Sequence, residues 1–518
     1  VNPTASPAPE TDQPWSRLDK RMLLVHPVTE VVKFIPVLIG SVILGTSSGN
    51  HGWSVIPLAL IVGFALTRWF TTTYRVGPTH VELRTGLIQR KKLAVPRSRI
   101  RSVDIEADLL HRLLGLAVLA IGTGQQADSG EKFKLDALDA RLVPDLRTAL
   151  LAHTATPHSV TGQPVPAHDT DERPDAHRGR EIAHWNPGWV RYAPLSLTGF
   201  AIIAPIVGLA FQYGVGQVLF RSDAVRRVED GGALIIALGA VALFLVIVLI
   251  VSLAACARYL TTYFGLRVTD DGRTLHLRHG LFTTRQITLD LARFRGATVN
   301  EPLLLRLAGA AELEAIMVGE NPRQKVLPQA PRTAVEHTLS HLLAPNEFQD
   351  KAIATPAAGP SPGSAPLIAH GPVARRRRYT RTLTPIAVAA LVLLAFSLAG
   401  VDFSPWWWLV PVVMVPVAIA LAEDRYRGLG HAVLPETATS PAWLITRSGS
   451  LDRDRDCLEA PGVIGWTVRQ SFFQRRAGVA TVVAAAAAGK KRYHVLDLPL
   501  DDAWALIEAV TPGRLGRR

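Results

Sequence analysis

Three times along this chain, Arg-x-Gly is followed at one fixed interval by a second Arg and a second Gly. The residues are Arg84, Gly86, Arg112 and Gly115; then Arg278, Gly280, Arg306 and Gly309; then Arg447, Gly449, Arg475 and Gly478. First Gly and second Arg lie 26 residues apart in every copy. The flanking text agrees: LRTGL from Leu83, LRHGL from Leu277 and TRSGS from Thr446, then LLHRLLGLA from Leu109, LLLRLAGAA from Leu303 and FFQRRAGVA from Phe472. An ungapped interval means one structural unit used three times, and the fold must be assembled from such units.

Apolar text precedes each copy. Residues 233–257 carry no charge, long enough as a helix to cross a bilayer core of roughly 30 Å. Weaker stretches occupy 31–46, 53–70, 192–213, 383–400 and 405–422. They form three close pairs in register with the repeats, which predicts hairpin–domain three times over. Lys33, near the start of the first stretch, can snorkel to the interface. The N-terminal residues 1–21 are polar and Pro-rich, so no cleavable signal peptide is expected there. The short connections at 47–52 and 401–404 lack Lys and Arg, and in 214–232 the basic Arg221, Arg226 and Arg227 are balanced by Asp223, Glu229 and Asp230. The opposite side is rich in Arg and Lys, from Arg17, Lys20 and Arg21 to the run Arg375–Arg378. The positive-inside rule then places both termini and all three repeat domains in the cytoplasm of a multi-pass inner-membrane protein.

Within a copy the pattern favours strands. In the first, short runs at 74–76, 80–84, 88–95 and 100–105 are separated by turn residues, with Thr85-Gly86 as a tight hairpin. A helical turn at 109–115 stops at Gly115, strands follow at 117–123 and 132–135, and a helix closes the unit at 139–152. The later copies close at 332–343 and 500–510. Short strands capped by one helix predict a small α+β barrel or orthogonal sandwich.

Tyr74-Arg75, Leu83 to Leu87, Pro96 to Ile100 and Leu109 to Ala117 together resemble the bacterial pleckstrin-homology-like domain of the YdbT type. The resemblance covers nearly the whole chain in triplicate and implies PH-like barrels on a membrane-embedded protein, often in assemblies at the bacterial envelope. It carries no general enzymatic activity. The expected organisation is a tail (1–30), a hairpin (31–70), PH-like domain 1 (71–152), a linker (153–188), a hairpin (189–258), domain 2 (259–344), a basic linker (345–378), a hairpin (379–422) and a degenerate domain 3 (423–518). The second copy has Thr283-Thr284-Arg285-Gln286 where the first has a basic strand, and the third has Asp452-Arg453-Asp454-Arg455-Asp456.

The basic strand makes Arg90, Lys91 and Lys92, with Arg97, Arg99 and Arg101, the candidate surface for the lipid bilayer, its anionic headgroups or a protein partner. A solvated strand face with positive-inside bias accounts for the same charges. The repeated arginines are expected to be structural, pairing for example with Asp104, Glu106 or Asp108, and the repeated glycines to be a turn and a helix stop. Arg375–Arg378 reads as a topology anchor on which lipid binding could ride, and Trp406-Trp407-Trp408 as an interfacial belt. The histidines at 153, 158, 168, 177 and 184 fit a linker better than a metal site. The tract from Ala484 to Ala488 has no chemical role in this reading. The two cysteines, Cys256 and Cys457, have no partners at metal-ligand spacing. The net charge of +13 carries little weight, because Ala, Arg and Gly abundance fits a high-GC coding bias.

No HExxH, G-x-S-x-G or Walker A motif occurs. No catalytic residue, cofactor, metal or nucleic-acid partner is expected. The role that follows is a non-catalytic scaffold or adaptor at the cytoplasmic membrane face, in envelope maintenance or defence, with self-association open to it. The alternative is a transporter or lipid-handling protein whose helices work and whose PH-like domains regulate, and an enzyme without familiar motifs is the remote third reading.

Overall fold

The computed structural model describes residues 15–34, 52–77, 79–86, 90–100, 102–122, 133–143, 179–196, 232–319, 322–344, 362–401, 406–437 and 440–513, with a few isolated positions between. They divide into two compact units: residues 1–181 with 264–291, and residues 182–263 with 292–518. The division runs through the second copy.

The first unit opens with a two-residue strand, β1 (Ser16–Arg17), and two helices, α1 (Met22–Lys33) and α2 (Gly52–Thr71). The first copy then runs β2 (Thr73–Val76), β3 (His80–Thr85), β4 (Lys91–Pro96), β5 (Ser102–Ala107), a short helix α3 (Leu109–Leu113), β6 (Leu116–Gly122) and β7 (Phe133–Asp139). After β8 (Arg180–His184) and α4 (Gly232–Tyr263), the second copy repeats that order. It gives β9 (Arg267–Asp270), β10 (Thr274–His279), β11 (Thr284–Asp290), β12 (Phe294–Asn300), α5 (Leu303–Leu307), β13 (Ala310–Met317), β14 (Arg323–Pro331) and α6 (Arg332–Leu342). Helices α7 (Gly371–Leu398) and α8 (Trp406–Arg427) lead into the third. It comprises β15 (Gly430–Leu434), β16 (Trp443–Gly449), β17 (Arg453–Glu459), β18 (Val463–Arg469), α9 (Phe472–Arg476), β19 (Val479–Ala486), β20 (Arg492–Pro499) and α10 (Leu500–Val510).

The expected closed barrel is not what these strands build. Each copy gives its first three strands to one sheet and its next three to another, and consecutive copies share sheets. The orders are β1-β2-β3-β4, then β7-β6-β5-β11-β10-β9-β8, then β14-β13-β12-β17-β16-β15, then β18-β19-β20. The reason is geometric. The outer edge of β5, which barrel closure would need, is occupied by β11, and that of β12 by β17.

Alternation puts the apolar face of each sheet inward. In the first copy Val81, Leu83 and Val95 meet Val103, Leu119 and Leu135, with Val143 and Leu150 of the closing helix. In the third, Leu444 and Leu458 meet Val482, Tyr493 and Val495, against Ala503 and Ile507 of α10. The alanine tract belongs to this core: Ala484, Ala486 and Ala488 are all buried.

Three of the described helices are long and apolar enough to cross a membrane, at Val241–Tyr263, Gly371–Leu398 and Trp407–Arg427, against the six expected. Residues 53–70 lie in α2, whose apolar part, Val55–Thr71, is shorter. The stretches at 31–46 and 192–213 fall largely outside the described residues. Where the latter begins, Pro187–Leu195 forms a 3₁₀ helix with prolines near both ends. Along α4, Leu243, Phe244, Leu245 and Leu249 are all exposed. A helix apolar all round needs an apolar surrounding.

Candidate functional site

Two of the repeated residues, Arg112 and Arg306, reach across the places where one copy joins the next. At the first joint β11 pairs with β5, and Arg285 lies opposite Glu106. At the second β17 pairs with β12, and Asp454 lies opposite Asn300. Arg285 and Asp454 each stand five residues beyond the first repeated Gly of their copy. Glu106 and Asn300 each stand nine residues before the second. The two joints therefore use one register.

The second repeated Arg closes each joint. Arg112 Nη1 donates to the Leu281 carbonyl at 3.0 Å, and Arg306 Nη1 to the Ser450 carbonyl at 3.4 Å. Leu281 and Ser450 are equivalent, each following the first repeated Gly of the next copy. The expected partners in Asp104, Glu106 and Asp108 are replaced by a backbone acceptor in the following copy. Arg306 also meets Asp424 at the end of α8, 2.9 Å away. The first repeated arginines play other parts. Arg84 stacks over Trp15, 3.7 Å from the ring centroid, and Arg447 Nη2 donates to the Arg427 carbonyl at 2.9 Å. Arg278 and Arg475 are exposed.

The glycines behave as turn residues. Gly86, Gly280 and Gly449 have φ of 111°, 118° and 110°. A Cβ at Gly280 or Gly449 would lie 1.9 Å from the Thr283 or Asp452 carbonyl oxygen, so only glycine turns the chain there. Gly115, Gly309 and Gly478 end the short helices with φ near 67–69°.

Complementary side chains dress both joints. Arg285 Nε approaches Glu106 at 3.7 Å, and Thr283 donates to Asp108 at 2.7 Å. In the second joint Asn300 Nδ2 donates to Asp452 and Asp454 at 2.9 and 2.8 Å, and Thr298 to Asp456 at 2.7 Å. Lys490 Nζ lies 2.5 Å from Asp454 and 3.0 Å from Asp456. Burial works to lower the Lys490 ammonium, but these carboxylates outweigh it and hold its pKa above the ordinary value. The alternating charges that look like a lost basic strand thus place three aspartates on the joint, while Arg453 and Arg455 turn to Asp424 and to the Pro362 and Ala365 carbonyls. Cys457, fully buried in β17, has its thiol pushed up to about 12 by burial. Cys256 and Cys457 are both free.

The predicted basic surface is partly used internally. Arg90 and Lys91 are exposed on β4 and its approach. Lys92 pairs with Glu82 at 2.7 Å, and Arg75 reaches the same carboxylate at 2.6 Å. Burial works to raise the Glu82 carboxyl, yet Lys92 and Arg75 keep it below its usual range. Arg97 Nη1 bonds the Gly77 carbonyl at 3.4 Å. The Arg99 side chain and Arg101 lie outside the described residues. At the opposite end of the repeat, β18 is the outer strand of its sheet among the described residues, with Arg469 exposed.

Sequence reasoning passed over Asp424, Asp497, Arg381 and Arg425. Asp497, nearly fully buried, takes Arg377 at 3.0 Å, Arg378 at 3.1 Å and Gln474 at 2.8 Å. The contacts between Asp497 and α7 span more than a hundred residues, which no local motif announces.

No curated protein and no solved structure matches the chain. Two of its segments, residues 27–154 and 231–343, match the family model of the bacterial PH domain.

Proposed function

We propose that this chain is a non-catalytic scaffold or adaptor of the bacterial cell membrane. In this reading hairpins of membrane helices hold three PH-like domains on the cytoplasmic face, with both termini on that side. The match to a family that is generally non-catalytic supports the first part, and the three membrane-length helices support the second. The observation that carries the reading is the shared register of the two joints. Backbone ladders fasten each copy to the next at its seam, as a scaffold requires. Among the described residues β4 and β18, the equivalents of the strands paired at the joints, are edge strands, and strand addition is the recognition mode they suit.

Amide hydrogen exchange on the full chain in nanodiscs tests this. A scaffold has β5, β11, β12 and β17 protected as strongly as the interior strands β6 and β13. Fast exchange at the joints beside slow interiors would defeat the proposal and favour domains that move to regulate the helices.

A further inference from the structure

Where α7 and α8 meet the third copy there is a pocket of about 390 Å³ lined by Arg378, Arg381, Arg425, Ser448, Gly449 and Leu496. Its charge is one-sided. Arg378 is only 8% exposed; its Nη1 lies 3.1 Å from Asp497, while its Nη2 is buried with no hydrogen-bond partner. Asp497 is already shared with Arg377. Arg381 and Arg425 are exposed and form no ion pair among the described residues. Both bear repulsively on Arg378, as does Arg377. A buried guanidinium with an idle N–H group is costly unless an acceptor fills the gap.

We propose that this pocket binds a phosphate group. Guanidinium forks match phosphate oxygens two at a time, and three of them around one cavity suit a group with several acceptor oxygens. The height of the pocket points the same way. Arg381 is the last charged residue before the apolar run of α7, and the apolar run of α8 ends at Ala422, just before Arg425. The site therefore stands at the surface of the bilayer, in so far as these helices cross it as proposed above. The phosphate belongs either to an anionic lipid headgroup or to a soluble phosphate compound.

Thermal unfolding of the full chain separates the two. One arm uses nanodiscs of phosphatidylcholine alone or mixed with phosphatidylglycerol. The other uses detergent with inorganic phosphate or pyrophosphate, against chloride at equal ionic strength. Wild type is expected to gain Tm in at least one arm, and the exposed pair Arg381→Gln/Arg425→Gln to lose that gain while keeping its Tm in the neutral condition. A gain only with phosphatidylglycerol identifies a headgroup; a gain with free phosphate identifies a soluble ligand and does not depend on membrane crossing. No gain in either arm, or a gain that survives in the double variant, overturns the proposal. Carbonate extraction of the chain from membranes checks the crossing of α7 and α8 separately.

Discussion

The guanidinium of Arg306 sits 2.9 Å from the carboxylate of Asp424, so a residue of the second copy grips the last turn of the helix that leads into the third. Arg306→Ala removes that half-buried pair and the bond to Ser450. It is expected to cost about 1–3 kcal/mol, the usual range for a charged hydrogen bond. Arg475 occupies the same repeat position and is exposed. Arg475→Ala is expected to stay within about 0.5 kcal/mol of wild type. Urea unfolding of the two variants side by side gives the comparison, and equal losses would contradict the role assigned to the repeated Arg.

A backbone test follows from Gly296, which has φ of 142° and whose Cβ would stand 1.9 Å from the Cys457 carbonyl oxygen across the second joint. Gly296→Ala must push the two strands apart, at an expected cost of about 2 kcal/mol or more. Gly309 has φ of 69° and open space around it. Gly309→Ala meets only the left-handed penalty, roughly 1 kcal/mol. Chemical denaturation should rank the variants in that order.

The register of the joints also says what the free ends do to each other. Carried to the ends of the repeat, it sets Lys91 of one chain opposite Arg469 of another. Like charges directly opposite are unfavourable in a ladder. Wild type is expected to resist head-to-tail association. Arg469→Glu should create the match that Arg285 and Glu106 make internally and give larger species in sedimentation velocity, and Lys91→Glu added to it should abolish them. A single Arg469→Glu variant that sediments like wild type would break the argument.

Acid should weaken the third copy. His431 Nδ1 and His370 Nε2 are 2.9 Å apart, and His370 Nδ1 lies 2.6 Å from the Leu496 carbonyl. Burial, then the neighbouring His370, depresses His431 to about 4. Burial also lowers His370, with Arg378 acting the same way and the Leu496 carbonyl and Asp497 opposing. Both imidazoles titrate lower when folded, so the unfolded chain binds more protons below about pH 6.5. Stability is full above that value and falls as pH drops through it toward 4. The Tm should decline between pH 7.5 and 5, and His431→Phe should flatten the decline.

Cys457 offers a direct reading of the second joint. Buried and with its pKa pushed up to about 12, it should ignore maleimide in the native chain, since the thiolate is the reactive form. In a Cys256→Ser background, labelling should track joint opening and speed up about fivefold to a hundredfold in Arg306→Ala, following the ~1.4 kcal/mol-per-decade relation.

Much of each copy could be read from local text. Gly86 and Gly280 announced their turns, Gly115 and Gly309 their helix stops, and the strands lie within a few residues of where alternation put them. β4 begins at Lys91, against an expected start at 88; residues 88 and 89 lie outside the described residues. The sheet partners were not legible. Nothing near Arg112 says that its acceptor is Leu281, 169 residues on, and the barrel expectation followed from assuming that a copy closes on itself. One clue was present in Asp452, Asp454 and Asp456: carboxylates two apart share a strand face and call for donors opposite. The arginine pocket escaped for a similar reason, since Arg378 and Arg425 come from different helices and Leu496 from a strand.

Because each shared sheet draws its halves from consecutive copies, the block that holds together is out of phase with the block that was duplicated. Every copy contributes one hook, its third strand, and one eye, its fourth. Loss of the middle copy would set Glu106 opposite Asp454, two carboxylates in one pair, so the two seams are not interchangeable. The side chains at each seam thus decide which copy can follow which, and a duplication that ignored them would leave a mismatched ladder.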